Sequence, residues 1–199
     1  EKLEEELSRL FPTSKVVRMD IDTTTKKGSH EKIFNAFKNH EYDILVGTQM
    51  ISKGLDFSNV TLVGVVNGDA SLNLPDFRSS ERTFSLLNQV AGRAGRGDKK
   101  GYVIIQGFNL EHYSILKAKS HDYDGFYKEE MSLRKILKYP PYYNLTMIKV
   151  ISNEYDKAYN EANKIVSFIK DKVSDVIVLG PSNYFMPKIN NKYYSPNYK

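Results

Sequence analysis

The chain has 199 residues, 40% of them apolar and 27% charged, with no cysteine and a formal net charge of +5. This is the composition of a globular protein large enough to bury a core, and it excludes wholesale disorder, a disulfide framework and a thiolate zinc site. The longest apolar run, around Val60–Val66, is far short of the ~20 residues that cross a bilayer, so a membrane-spanning role is excluded.

The opening Glu1-Lys2-Leu3-Glu4-Glu5-Glu6-Leu7 lacks the basic start and apolar middle of an export signal. Without such a signal, the glycosylation-like triplets at Asn59 and Asn144 read as chance matches. Leu3, Leu7, Leu10 and Phe11 carry a helical period that Pro12 stops. A strand is predicted over 15–19, a helix over 29–39 with Ile33, Phe34 and Phe37 on its buried stripe, and a strand over 43–47 running into a glycine loop. Val60–Asn67 reads as another strand, Ser80–Gly95 as a helix and Gly101–Gln106 as a strand.

Strands alternating with helices imply a parallel sheet flanked by helices. That domain is expected to span 1–108, followed by a helical connector over 109–141 that Tyr139-Pro140-Pro141-Tyr142 breaks. The remainder, 142–199, is expected to be a small α+β domain: strand 145–152, helix 154–173 and strand 176–181, a β-α-β unit. The tail from Asn183 lacks periodicity and is expected to be frayed or incomplete.

Two segments carry chemistry. In Gln89-Val90-Ala91-Gly92-Arg93-Ala94-Gly95-Arg96, the residues Gln89, Arg93 and Arg96 share one helix face at i, i+4 and i+7, a face that can hold a phosphate. Arginine suits that task because its planar fork binds phosphate oxygens in pairs and keeps its charge. Gly92 and Gly95 each cost about 1 kcal/mol inside a helix relative to alanine, which suits a surface that another group approaches closely.

The second segment, Gly47-Thr48-Gln49-Met50-Ile51-Ser52-Lys53-Gly54-Leu55-Asp56-Phe57, follows a buried strand directly. Ligands of open α/β sheets bind outside the carboxyl ends of strands, where this loop belongs. Thr48, Gln49 and Lys53 suit a nucleic-acid backbone, and Asp56 suits a ribose hydroxyl.

Together these segments resemble motifs V and VI of the second RecA-like lobe of superfamily 2 helicases. Arg18–Gly28, Leu74–Phe84 and Lys138–Pro141 look like the replication-restart helicases within that superfamily, with order and spacing agreeing across roughly residues 1 to 181. The resemblance implies an ATP-driven 3′-to-5′ DNA helicase that recognises stalled forks and loads a primosome. It implies ATP and Mg²⁺ as cofactors, DNA, single-strand-binding protein and primosome proteins as partners, and a bacterial cytoplasmic, nucleoid-associated location.

By that resemblance Arg93 and Arg96 are arginine fingers and Gln89 lines the same cleft. Gly54 and Asp56 meet the nucleotide, while Thr48, Gln49 and Lys53 touch DNA. No phosphate-binding G-x-x-x-x-G-K-[ST] loop occurs in the chain. The first lobe, the family's zinc insertion with its cysteine ligands and the lobe's opening strand are also missing from it. The chain is therefore read as a partly truncated portion that does not hydrolyse ATP alone. The alternative is a non-hydrolytic module that binds branched DNA or single-strand-binding protein.

Asp20, Asp22 and the threonines after them read as a capped turn. Arg78, Glu81 and Arg82 read equally as ion pairs at a helix start or as DNA contacts. His121-Asp122 resembles a catalytic pair but reads better as the acidic start of a helix.

Overall fold

A computed structural model describes residues 2–20, 28–48, 59–92, 100–182, 188–189 and 192–196, the last two stretches as backbone only. The chain divides into two units, residues 1–130 and 131–199.

In the first unit α1 (Lys2–Leu10) leads into β1 (Val16–Met19). The helix α2 (Ser29–Lys38) then crosses over to β2 (Ile44–Gly47). β1 and β2 pair in parallel from Val16 opposite Ile44 to Met19 opposite Gly47. The pair is anchored at its start, where the Lys15 N–H donates to Asp43 Oδ2 at 2.8 Å and the Asp43 N–H donates to the Lys15 carbonyl at 2.9 Å.

A second parallel crossover repeats the pattern. β3 (Leu62–Val65) is followed by a 3-10 turn at Ala70–Asn73 and by α3 (Ser79–Ala91), and β4 (Tyr102–Ile105) returns beside β3. Parallel strands need such crossovers because the end of one strand and the start of the next lie at opposite ends of the pair. The expected parallel α/β character is present, as two strand pairs among the described residues.

α4 (Tyr113–Lys119) and α5 (Tyr123–Ile136) follow. Phe84 and Leu87 of α3, Ile115 and Ala118 of α4 and Phe126 of α5 form the core of this unit, with Val65, Leu72, Ile105 and Tyr113 packed against it. The Phe84 and Phe126 rings stack with centroids 4.1 Å apart and 7° between their planes. The division between the units falls inside α5, after Glu130.

The second unit departs from expectation. β5 (Lys149–Ser152) and α6 (Tyr155–Lys172) form where their periods predict, and α6 buries Ala158, Ala162 and Val166 on one face. Val176–Pro181, however, is not a strand, and the predicted β-α-β unit does not form. The tail instead supplies β6 (Lys188–Ile189) and β7 (Lys192–Pro196), which make an antiparallel sheet in the order β5-β7-β6. β5 pairs with β7 at one edge of this sheet, and Val176, Ile177 and Leu179 stay exposed and join no described sheet. Left-handed backbone at Asp175 and Gly180 turns the chain at both ends of that run. The run has high β propensity, but propensity cannot form a strand without a neighbour to complete its hydrogen bonds.

Candidate functional site

The carboxyl end of β2 delivers Thr48 directly into solvent, next to exposed Gly47. Gln49, Lys53, Gly54 and Asp56, expected to follow it on the loop, lie outside the described residues. So do Arg93 and Arg96. Of the predicted site residues, the described ones are Thr48 and Gln89.

Gln89 is half-buried in the last turn of α3, so the seating of that helix matters most. At its start, the Arg78 N–H donates to Asp76 Oδ1 at 2.9 Å. Asp76 also holds the guanidinium of Arg78 at 3.4 Å and that of Arg82 at 2.8 Å. Burial pushes the Asp76 carboxyl up, but the Arg78 N–H and the two guanidiniums outweigh it and hold the carboxyl below its ordinary value. Arg78 and Arg82 are thus engaged in ion pairs at the helix start.

Further along, the Thr83 hydroxyl donates to the Ser79 carbonyl at 2.9 Å, and Thr83, Phe84 and Leu87 are buried. The helix closes with the Gly92 N–H donating to the Asn88 carbonyl at 3.1 Å. Gly92 has φ −71°, a conformation open to any residue. A Cβ there would meet nothing closer than the Asn88 carbonyl at 3.6 Å. Neither the fold of the helix end nor its described surroundings require glycine at this position.

Sequence reasoning missed the brace at the carboxyl ends of β3 and β4. Asp69, 3% exposed, accepts the backbone N–H groups of Phe108 and Asn109 through Oδ2, both at 2.7 Å. The Asn109 N–H does most to lower the Asp69 pKa; burial opposes it and the Phe108 N–H assists. The turn fits only small residues. A Cβ on Gly68 would lie 2.7 Å from Ile105 Cγ2, and one on Gly107 would lie 2.8 Å from Asp69 Oδ1. The available signal was Gly68-Asp69 after one strand and Gly107 after the next, the position where such sheets build their sites.

α4 and α5 hold the other side of α3. His112 caps α4, its Nδ1 accepting the Ser114 N–H at 3.3 Å, with the Ser114 hydroxyl 2.8 Å away. Burial lowers the His112 pKa against the pull of Glu130 and Glu129, which favours the neutral ring that a cap acceptor requires. The Tyr113 hydroxyl donates to the carboxylate of buried Glu130. Burial, and then that carboxylate, push the phenol far above its ordinary value. Asp122 starts α5 as its sequence suggests, accepting the Gly125 N–H and the Lys117 ammonium, each at 2.8 Å.

The first unit is thus an α/β unit of parallel crossovers, with Thr48 after β2 and the Gln89-bearing helix α3 between β3 and β4. Residues 1–98 match the helicase conserved C-terminal domain. Nearly the whole chain aligns with proteins named replication restart protein PriA. It is 51% identical to that of Bacillus subtilis (strain 168) over 97% of the chain and 24% of the relative. For Chlamydia pneumoniae the identity is 40% over 91% and 24%, and for Synechocystis sp. it is 39% over 97% and 23%. The chain belongs to the PriA family. It spans about a quarter of the length of the curated relatives it matches.

Proposed function

We propose that this chain supplies the second RecA-like lobe of an ATP-driven 3′-to-5′ DNA helicase that acts at stalled replication forks and initiates primosome assembly. In this reading residues 1–108 are the lobe, 109–141 a helical connector and 142–199 a C-terminal domain. The observation that carries the proposal is the seating of α3. Its first turns are fixed by Asp76, Phe84 and Leu87, and its last turn presents Gln89 at the point where the chain runs on to Arg93 and Arg96.

ATP supplies the phosphoanhydride whose hydrolysis drives translocation, and the proposal places most of its binding, with Mg²⁺, on the family's first lobe. Thr48 and Gln89 are polar and accessible enough to meet a nucleic-acid phosphate and a nucleotide respectively.

Arg93 and Arg96 then stabilise charge developing on the γ-phosphate, the term that dominates phosphoryl transfer. Gln89 orients within the same cleft, Asp56 accepts a ribose hydroxyl and Gly54 allows close approach. Thr48, Gln49 and Lys53 grip the tracking strand by its phosphates, so nucleotide state and DNA grip share one loop. Single-strand-binding protein and primosome proteins are partners in this reading, within a bacterial cytoplasm. No described helix is long and apolar enough to cross a membrane.

The test is DNA-stimulated ATP turnover by the full-length protein that carries this chain with its first lobe, comparing wild type with Arg93→Ala while DNA affinity is measured separately. A loss of about 10³-fold or more with DNA binding retained is expected of an arginine finger. Unchanged turnover refutes the assignment and favours a purely structural Arg93 or the non-hydrolytic binding module.

A further inference from the structure

The last turn of α3 is tied from outside the helix. Asn88 closes the turn through its carbonyl, and its side-chain Oδ1 lies 3.1 Å from Nδ1 of His121, 33 residues further along. His121 sits in the joint between α4 and α5 at φ 54°, a left-handed conformation uncommon among residues other than glycine, and the joint is held in place by its neighbours.

The constraint is visible around it. The His121 N–H donates to the Ala118 carbonyl at 3.2 Å and the Asp122 N–H to the Lys117 carbonyl at 2.9 Å. Asp122 is held in turn by the Gly125 N–H and the Lys117 ammonium. A side chain at Gly125 would collide with the Asp122 carboxylate. α4 itself is seated on α3 through Ile115, Ala118 and Leu87. The imidazole is therefore offered to Asn88 from a joint that cannot easily move.

Helix ends fray because their terminal carbonyls lack partners within the helix. Asn88 stands five residues before Arg93 in the sequence, and a misplacement of about 1 Å at a reacting group can cost about 10²-fold in rate. We propose that His121 is a positioning residue: through Asn88 it fixes the last turn of α3, the turn that precedes Arg93 and Arg96 in the sequence. This rests on the reading that those arginines meet the nucleotide.

Two substitutions separate the hydrogen bond from the turn, because glycine and asparagine both tolerate a left-handed φ. His121→Gly keeps the turn and removes the donor, whereas His121→Asn keeps the turn and places an amide nitrogen near where Nδ1 stands. In the full-length protein with its first lobe, His121→Gly lowers kcat for DNA-stimulated ATP hydrolysis by about fivefold, the value of one hydrogen bond, with KM for ATP and DNA affinity unchanged. His121→Asn restores kcat. Asn88→Ala matches His121→Gly, and the double variant is no worse than either single one.

The inference is overturned by wild-type kcat in His121→Gly, by equal impairment of the glycine and asparagine variants, by additive losses in the double variant, or by a loss that resides in DNA affinity. If His121→Gly is silent while Arg93→Ala is inactive, only this inference falls. If Arg93→Ala turns over normally, the reading beneath it falls too.

Discussion

Replacing Phe84 with alanine tests the claim that α3 is seated by its core face. Phe84 is 3% exposed and lies on Phe126 at 4.1 Å in a near-parallel stack, with Tyr123 tilted against it at 6.2 Å. Emptying a buried phenylalanine site costs about 3–5 kcal/mol, a large share of the roughly 5–15 kcal/mol that holds a domain folded. Phe84→Leu keeps much of the apolar volume but gives up the stack, which is worth about 0.5–1.5 kcal/mol beyond its area. The chain has no tryptophan, so urea unfolding is followed by far-ultraviolet circular dichroism. The expected result is a lower midpoint at an unchanged slope. A double-mutant cycle with Phe126→Leu should return a coupling of about 1 kcal/mol. A loss under about 1 kcal/mol for Phe84→Ala, or zero coupling, would refute the view that this stack seats the helix.

Two pH effects follow from the braces around the site. Neighbouring N–H groups lower the Asp69 pKa from its ordinary 3.8, so its contribution is complete above that pH and is lost as pH falls toward the folded value. Asp69→Asn should therefore flatten the acid limb of the stability profile and speed amide exchange at Phe108 and Asn109; an unaltered profile with unaltered exchange counts against the brace. The His112 pKa is lowered from 6.5 by burial, so the unfolded chain takes up the proton first. The stability this residue confers is present above pH 6.5 and declines as pH drops below it. His112→Ala should cost about 1 kcal/mol at neutral pH as a lost cap and remove that part of the decline. A variant with the wild-type pH dependence would show that the ring does not cap α4.

The helices and most strands were legible because their signals are local. Leu3 and Leu7, the Phe84 and Leu87 stripe, and Ala158, Ala162 and Val166 each repeat at a helical period within a single segment. The apolar runs ending at Gly47 and leading into Asn67 announced the strands β2 and β3, although both are only partly buried, β3 exposing Leu62. Of the expected Gln89, Arg93 and Arg96 face, only Gln89, in the last turn of α3, lies among the described residues.

What the period of a segment cannot specify is which other segment covers it. Every backbone offers the same ladder of donors and acceptors, so nothing in Val176–Leu179 revealed that β7 would take the place beside β5. The Asp69 brace and the Asn88–His121 tie join residues more than 30 positions apart. Each depends on a short polar side chain meeting one particular turn, a coincidence that packing creates. The sequence by itself determined the helices and the strands β1 to β5, whose periods lie within single segments. Only the tertiary structure decided the partner of β5 and the braces that hold α3, because such contacts exist only once separate elements share a common core.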